Sequence, residues 1–286
     1  MEGEKRPSSI SAGDFQRLLL MPDQSRLEES FRSELSEYAQ LDASMVSTRM
    51  EQSAKRMAAE WQSRDRSTEQ SQKDFYLNNE EYFFNLCKYN SSEQFAQLGV
   101  AAVNLALSTA NTRTVIDFGC GIGSLSIVFS RLGFRVVLAD ISKPLLDFAR
   151  WRFEKRFLEA SFVNLELETP GQSAADLVVA LDTFEHIGNP RSALERIYEW
   201  LNKEGVVVFN TFSPKQIEQD PEHPMHISSG RKIIPEMRSI GFGRRSIFQG
   251  LACYQKPSRQ LVPKWASGLA SRAYWSIRWK VKDLVS

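Results

Sequence analysis

The chain has only three cysteines, Cys87, Cys120 and Cys253, and they are scattered without metal-ligand spacing. That excludes a disulfide framework and fits a reducing compartment. Neither sign of charge is in excess. Thirty-six Lys and Arg face 35 Asp and Glu, a formal net charge of +1, so there is no global electrostatic case for a nucleic-acid partner. No apolar run approaches the length of a membrane span, and the opening Met-Glu-Gly-Glu-Lys-Arg has no signal-peptide core, so a cytoplasmic location is expected. Internal repeats are absent. Histidine is also scarce: His186, His223 and His226 are the only three.

What is present centres on residues 114–123, Thr-Val-Ile-Asp-Phe-Gly-Cys-Gly-Ile-Gly. Val115, Ile116 and Phe118 form the short apolar run of an interior parallel strand. Gly119, Gly121 and Gly123 then clear side chains from a sharp turn where a ligand can touch backbone. A helix from Ser124 to Leu132 follows, with Gly133 placed as its C-terminal cap. The next strand, Arg135 to Asp140, ends on a carboxylate able to accept two hydrogen bonds from ribose hydroxyls. A dinucleotide turn would read G-x-G-x-x-G and offer a helix N-terminus to pyrophosphate. Here the spacing is G-x-G-x-G, preceded by Asp117, an acid that repels phosphate and can hold a cationic amine. Cys120, inside the turn, is a tolerated small side chain with no catalytic role.

The rest of the chain organises around this unit. Residues 1–23 are polar, interrupted by Pro7 and Pro22, and read as a mobile end. Leu27, Phe31, Leu35, Tyr38 and Leu41 make one helical stripe, and Val46, Met50, Ala54, Met57 and Trp61 a second. Residues 62–74 read as a loop. Phe75, Tyr76, Tyr82, Phe83, Phe84 and Tyr89 then crowd into one stretch. The plain reading is packing on the core; the sharper one is a lid lending aromatic surface to a substrate pocket. From residue 93 helices and strands alternate. Helices are expected over 93–107, 143–157, 190–202 and 231–240, with strands over 162–165, 176–181 and 205–211. The chain then runs into two further short segments, 245–248 and 251–254. This alternation predicts an α/β, doubly wound, mostly parallel sheet. The division expected is 1–92 as an N-terminal helical segment and lid, 93–256 as the core, and 257–286 as a basic aromatic helix.

The acid, the G-x-G-x-G turn and Asp140 together resemble motif I of the class I S-adenosylmethionine-dependent methyltransferases. Leu181-Asp-Thr-Phe-Glu-His-Ile187 is similar to the D-x-x-E-H stretch of their small-molecule branch, which includes ubiquinone-biosynthesis and natural-product enzymes. The likeness continues through Asn189-Pro190, Ala193-Leu194, Leu201 and Gly205 and covers roughly residues 93–250. One departure is Lys203-Glu204-Gly205, where relatives often carry Pro-Gly-Gly; it falls on a turn remote from the cofactor. The resemblance implies a Rossmann-like seven-stranded sheet, with 245–248 and 251–254 as a terminal antiparallel hairpin, and S-adenosylmethionine as cofactor. It implies that Asp117, Gly119, Gly121 and Gly123 meet the methionine part and Asp140 the ribose. Ile141 would pack on adenine, and Leu181 joins the expected contacts. Glu166 aligns best with the acid that binds the adenine amino group, with Glu168 a near alternative.

All three histidines fall in loops after the fourth and fifth strands, on the ligand face, and are the candidate catalytic residues. His186 reads either as a base or substrate-orienting group, or as a structural partner of the cofactor loop. His223 and His226 lie in the proline-stiffened Asp220-Pro-Glu-His-Pro-Met-His226 and suit substrate contact. A metal site using both and an acid follows no established ligand pattern, and no metal is expected.

Beyond residue 256, Trp265, Tyr274, Trp275 and Trp279 interleave with Lys264, Arg272, Arg278, Lys280 and Lys282. Such a helix either docks its aromatic face on the N-terminal helices, the commoner fate, or makes peripheral contact with an anionic membrane.

The expected activity is methyl transfer to oxygen or carbon of a small or lipid-like acceptor. Two rivals remain: an RNA or protein methyltransferase, and a non-catalytic S-adenosylmethionine-binding scaffold. The Asp/Asn-Pro-Pro-aromatic motif of amino-methylating DNA enzymes is replaced here by Asp182-Thr-Phe-Glu185.

Overall fold

The computed structural model describes residues 6–109, 111–219 and 224–258. Six helices come first: α1 (Ala12–Leu19), α2 (Leu27–Ala39), α3 (Ala43–Ser63), α4 (Glu69–Asn78), α5 (Glu81–Asn90) and α6 (Glu93–Ser108). The alternating region follows: β1 (Thr114–Phe118), α7 (Ser124–Arg131), β2 (Arg135–Asp140), α8 (Lys143–Glu154), β3 (Ser161–Asn164), β4 (Ala175–Ala180), α9 (Pro190–Trp200) and β5 (Leu201–Phe209). Then come α10 (Pro214–Glu218), α11 (Gly230–Ile240), β6 (Gly243–Phe248) and β7 (Leu251–Gln255).

The seven strands form one sheet in the order β3-β2-β1-β4-β5-β7-β6. Strands β1 to β5 are parallel, and β7 pairs antiparallel with both β5 and β6. This is the doubly wound α/β sheet with its expected terminal hairpin. Val115 and Ile116 are wholly buried because helices cover both sheet faces, which is why the interior strands read as continuous apolar runs. The order reverses between β1 and β4, so the crevice beyond their carboxyl ends is where this topology admits a ligand.

Three local expectations differ. Residues 6–23 are not a loose end. Ser11 and Asp14 form a reciprocal capping box on α1, and Phe15 and Leu19 are buried in the main core. Phe15 fits because Gly99 on α6 has no side chain: a Cβ there would come within 2.3 Å of its ring. The expected loop at 62–74 is shorter, since Thr68 caps α4 at Glu69. The helix from Lys143 stops at Glu154, where the chain turns and Phe157 takes a left-handed φ of 53° in solvent.

The Lys203-Glu204-Gly205 departure sits inside β5, which begins at Leu201. Glu204 has φ 64°, and the pairing of β5 with β4 shifts register there. A Cβ on Gly205 would meet the Asn202 carbonyl at 2.9 Å. Among the described residues no helix is long and apolar enough to cross a membrane. Residues 259–286, with the expected basic aromatic helix, lie outside those described.

Candidate active site

The glycine turn is built by backbone geometry. Gly119, Gly121 and Gly123 have φ of 72°, 52° and 72°, a region that side chains disfavour. Space enforces the same choice. A Cβ on Gly119 would lie 2.5 Å from the Thr183 methyl, and one on Gly123 would lie 2.7 Å from Leu138. The turn is tethered by Asp140 one strand over. Its Oδ2 accepts from the Gly121 amide at 2.9 Å, and its Oδ1 accepts from the Ser142 amide at 2.9 Å. Each oxygen keeps a second lone pair for a ligand.

Asp117 points from the end of β1 and accepts from the Ser126 hydroxyl at 2.7 Å. Burial, opposed by the Ser126 bond and reinforced by Asp140, pushes its carboxyl up to about 7. A ligand ammonium favours the ionised form, so binding such a ligand near neutral pH drives a proton off. Titrating S-adenosylhomocysteine at pH 7 in two buffers of different ionisation enthalpy should show release of about half a proton. Asp117→Asn should abolish it; identical release in that variant would contradict this placement of the amine. For the unliganded protein the sign is opposite: Asp117 keeps its proton to higher pH when folded, so its contribution to stability falls as pH rises from about 4 to about 7.

Asp117, Gly119, Gly121 and Asp140 line a cavity of about 750 Å³ at the carboxyl ends of the strands, within the roughly 300–1,000 Å³ of small-molecule sites. Gly123, expected among the cofactor contacts, is not in that lining; it faces Leu138, Ala149 and Phe153 and serves close packing of the turn. Ile141, Glu166, Leu181, His186 and His226 line it as well. Glu166 is held by an ion pair with Lys73 of α4, so that helix reaches the expected adenine end. Glu168 instead accepts from the Asn164 amide at 3.2 Å. His223 lies outside the described residues. His186 Nδ1 is 2.9 Å from the Tyr76 hydroxyl, and its ring centroid is 5.0 Å from that of His226. His226 in turn stacks on Phe212 at 5.0 Å.

Sequence reading missed several lining groups as individuals. Tyr89 of α5 donates to Asp182 Oδ2 at 2.5 Å, and Asn210, at the end of β5, donates to the other Asp182 oxygen. Burial raises the Asp182 carboxyl despite these bonds. Glu185 is raised well above its usual range, by burial first and then by Asp182. Glu185, His186 and His226 place ligand-type atoms within 4.8 Å of one another.

The profile of a family described as "Methyltransferase domain" matches residues 89–255, from Tyr89 to the last residue of β7. The chain belongs to this methyltransferase family. It is 26% identical over 136 residues to a malonyl-[acyl-carrier protein] O-methyltransferase of Halalkalibacterium halodurans, covering 46% of this chain and 50% of that one. It is 31% identical over 101 residues to a ubiquinone biosynthesis O-methyltransferase of Ruegeria sp. TM1040, covering 35% of this chain and 41% of that one. The chain thus spans about half the length of the curated relatives it matches. A solved Pyrococcus horikoshii OT3 protein superposes with a TM-score of 0.49 at 16% identity, over 58% of this chain and 92% of that one.

The cofactor of this methyltransferase family is S-adenosylmethionine, and the residues present fit it. A turn of left-handed glycines, with no room for a Cβ at Gly119, gives backbone contact, Asp140 offers lone pairs for a ribose diol, and Asp117 suits an amine. The methyltransferase match begins only at Tyr89, so α1 to α4 lie outside it, although α4 contributes Tyr76 and Lys73 to the cavity wall.

Proposed function

We propose that this protein transfers a methyl group from S-adenosylmethionine to oxygen or carbon of a small or lipid-like acceptor held in the 750 Å³ cavity. The observation that carries the reading is the closed arrangement of Asp117, the glycine turn and Asp140 at the topological switch point, inside the family-matched segment. In this reading Gly119, Gly121 and Asp117 hold the methionine part, and Asp140 holds the ribose. Ile141 and Leu181 flank the adenine and sulfur, and Glu166 faces the adenine amine. The two relatives named above are O-methyltransferases by name, which supports the acceptor chemistry.

S-adenosylmethionine supplies an already activated methyl electrophile. The chain therefore has to align the acceptor and exclude water, and proximity supplies much of the rate. Helices α4 and α5 serve as the lid. Tyr76 and Tyr89 reach across the cavity to His186 and Asp182, and Lys73 closes on Glu166. His186, oriented by the Tyr76 hydroxyl, takes the proton of a hydroxyl acceptor, with His226 on the acceptor side.

The test of class is to incubate the protein with methyl-labelled S-adenosylmethionine and a cell extract. Label should appear in the low-molecular-weight or lipid fraction. Label in RNA or protein would overturn the reading. With an acceptor in hand, His186→Asn should lower kcat roughly 100-fold, in the usual range for losing a general base, and leave cofactor affinity intact. A fall in cofactor affinity with kcat unchanged would give His186 a structural role instead.

A further inference from the structure

Six carboxylates line the cavity. Glu69 is exposed, Glu166 pairs with Lys73, and three more have evident work. Asp117 takes the Ser126 hydroxyl and faces the amine position, and Asp140 tethers the glycine turn. Asp182 is bonded by Tyr89 and Asn210. Glu185 is different. It is 1% exposed, and among the described residues neither side-chain oxygen has a hydrogen-bond partner. The lysines and the arginine lining the same cavity are engaged elsewhere, and the His186 and His226 rings lie within 4.8 Å of the carboxylate without a hydrogen bond to it. Lys73 pairs with Glu166, Lys88 donates to the Glu51 carbonyl at 3.4 Å, and Arg196 donates to the Leu165 and Glu168 carbonyls. A carboxyl buried without a partner is costly, and a protein tolerates it where a ligand completes the site.

The surroundings say what kind of ligand. Tyr76, Tyr82 and Tyr89 line the cavity, and each lies within electrostatic range of Glu185. The Tyr76 and Tyr82 rings are 5.7 Å apart, and Tyr76 is 5.3 Å from the His186 ring. Aromatic faces attract organic cations, most strongly where water is excluded, and a carboxylate within the same wall adds direct charge pairing. A neutral hydroxyl would satisfy one oxygen of Glu185 but gain nothing from the rings.

We propose that Glu185 and the Tyr76–Tyr82–Tyr89 wall form a recognition site for a cationic nitrogen carried by the methyl acceptor. This rests on the reading of the cavity as an S-adenosylmethionine site. The nitrogen serves as the handle by which the acceptor is held, and its nucleophilic atom lies elsewhere on the molecule.

The experiment uses the full chain saturated with S-adenosylhomocysteine. The probes are choline, ethanolamine and 3,3-dimethyl-1-butanol, the last a neutral isostere of choline. At least one cation should bind tenfold or more tighter than the neutral alcohol; choline winning points to a quaternary group and ethanolamine to a protonated amine. Glu185→Gln, which keeps size, and Tyr82→Leu should each remove that preference. Titration of both variants with S-adenosylhomocysteine reports whether their cofactor site is still formed. Equal binding of all three probes, or binding of none, to the wild-type complex overturns the proposal while leaving the cofactor reading in place. Glu185→Gln weakening S-adenosylmethionine but not S-adenosylhomocysteine would assign the carboxylate to the donor's sulfonium and also overturn it. Failure of the wild type to bind S-adenosylhomocysteine removes the underlying reading as well.

Discussion

Glu34→Ala should destabilise the protein by about 3–5 kcal/mol, the usual cost of stranding a buried charge. Glu34 of α2 is 2% exposed and holds two arginines from the far side of the chain. Arg152 of α8 donates to its Oε2 at 2.6 Å, and Arg156 donates to its Oε1 at 2.8 Å. Burial alone would raise the Glu34 carboxyl, yet the two guanidiniums hold it below the usual range. Its stabilising contribution is therefore present above the unfolded carboxylate pKa and lost as pH falls through the lowered folded value. Removing the carboxylate leaves two fully buried guanidiniums with no counter-charge. Chemical denaturation at neutral pH measures the effect; a loss under 1 kcal/mol would mean that water reaches the arginines.

That triad also touches the site. Arg152 Nη1 donates to the Ile122 carbonyl at 2.6 Å and to the Ser124 hydroxyl at 2.9 Å, and Asn90 donates to the same hydroxyl at 2.8 Å. The N-terminal helices are thereby wired to the glycine turn. An apolar triple replacement, Glu34→Leu with Arg152→Met and Arg156→Leu, should recover much of the stability lost in Glu34→Ala. It should not recover cofactor affinity, because the Ile122 and Ser124 contacts stay broken. Full recovery of both would confine the triad to a structural role.

Asp140→Ala should weaken S-adenosylhomocysteine binding by roughly 100-fold or more. Two charge-assisted bonds to a ribose diol are each worth about 1.5–3 kcal/mol, and every 1.4 kcal/mol is roughly tenfold in affinity. The same carboxylate holds the Gly121 and Ser142 amides, so its loss also frees the turn that meets the rest of the ligand. Asp140→Asn keeps one acceptor oxygen and should fall between. Calorimetric titration of both variants checks the order; unchanged affinity in Asp140→Ala would mean that the ribose sits elsewhere.

The features most legible in the sequence are those with local cause. β2 runs from Arg135 to Asp140 as its apolar run and terminal acid indicate. The three glycines take left-handed φ because the G-x-G-x-G spacing encodes a turn that only they relieve of strain. The terminal hairpin, expected from the family resemblance, turns at Gln249-Gly250, both of positive φ. The aromatic crowding at residues 75–89 signals the wall but not its division of labour. Phe75 and Phe84 are packed away, whereas Tyr76, Tyr82 and Tyr89 line the cavity, and nothing in their spacing distinguishes them.

The illegible parts are long-range pairings. Glu34 meets Arg152 across 118 residues, Tyr76 meets His186 across 110, and Tyr89 meets Asp182 across 93. Glu34 and Arg152 look locally like ordinary exposed polar residues on helices, and nothing near His186 or Asp182 in sequence indicates which tyrosine meets it. The end at residues 6–23 misleads for the same reason. Its polar composition conceals Phe15 and Leu19, whose burial depends on Gly99 and on α7 far along the chain.

The central claim is that Asp117, the glycine turn and Asp140 bind S-adenosylmethionine and not a dinucleotide. Isothermal titration of the full chain with S-adenosylhomocysteine, and separately with NADH, tests it most directly. The account predicts one-to-one binding of S-adenosylhomocysteine within the roughly micromolar-to-millimolar span of working enzyme affinities, and no heat with NADH. No binding of S-adenosylhomocysteine at millimolar concentration, or saturable binding of NADH in its place, would contradict it.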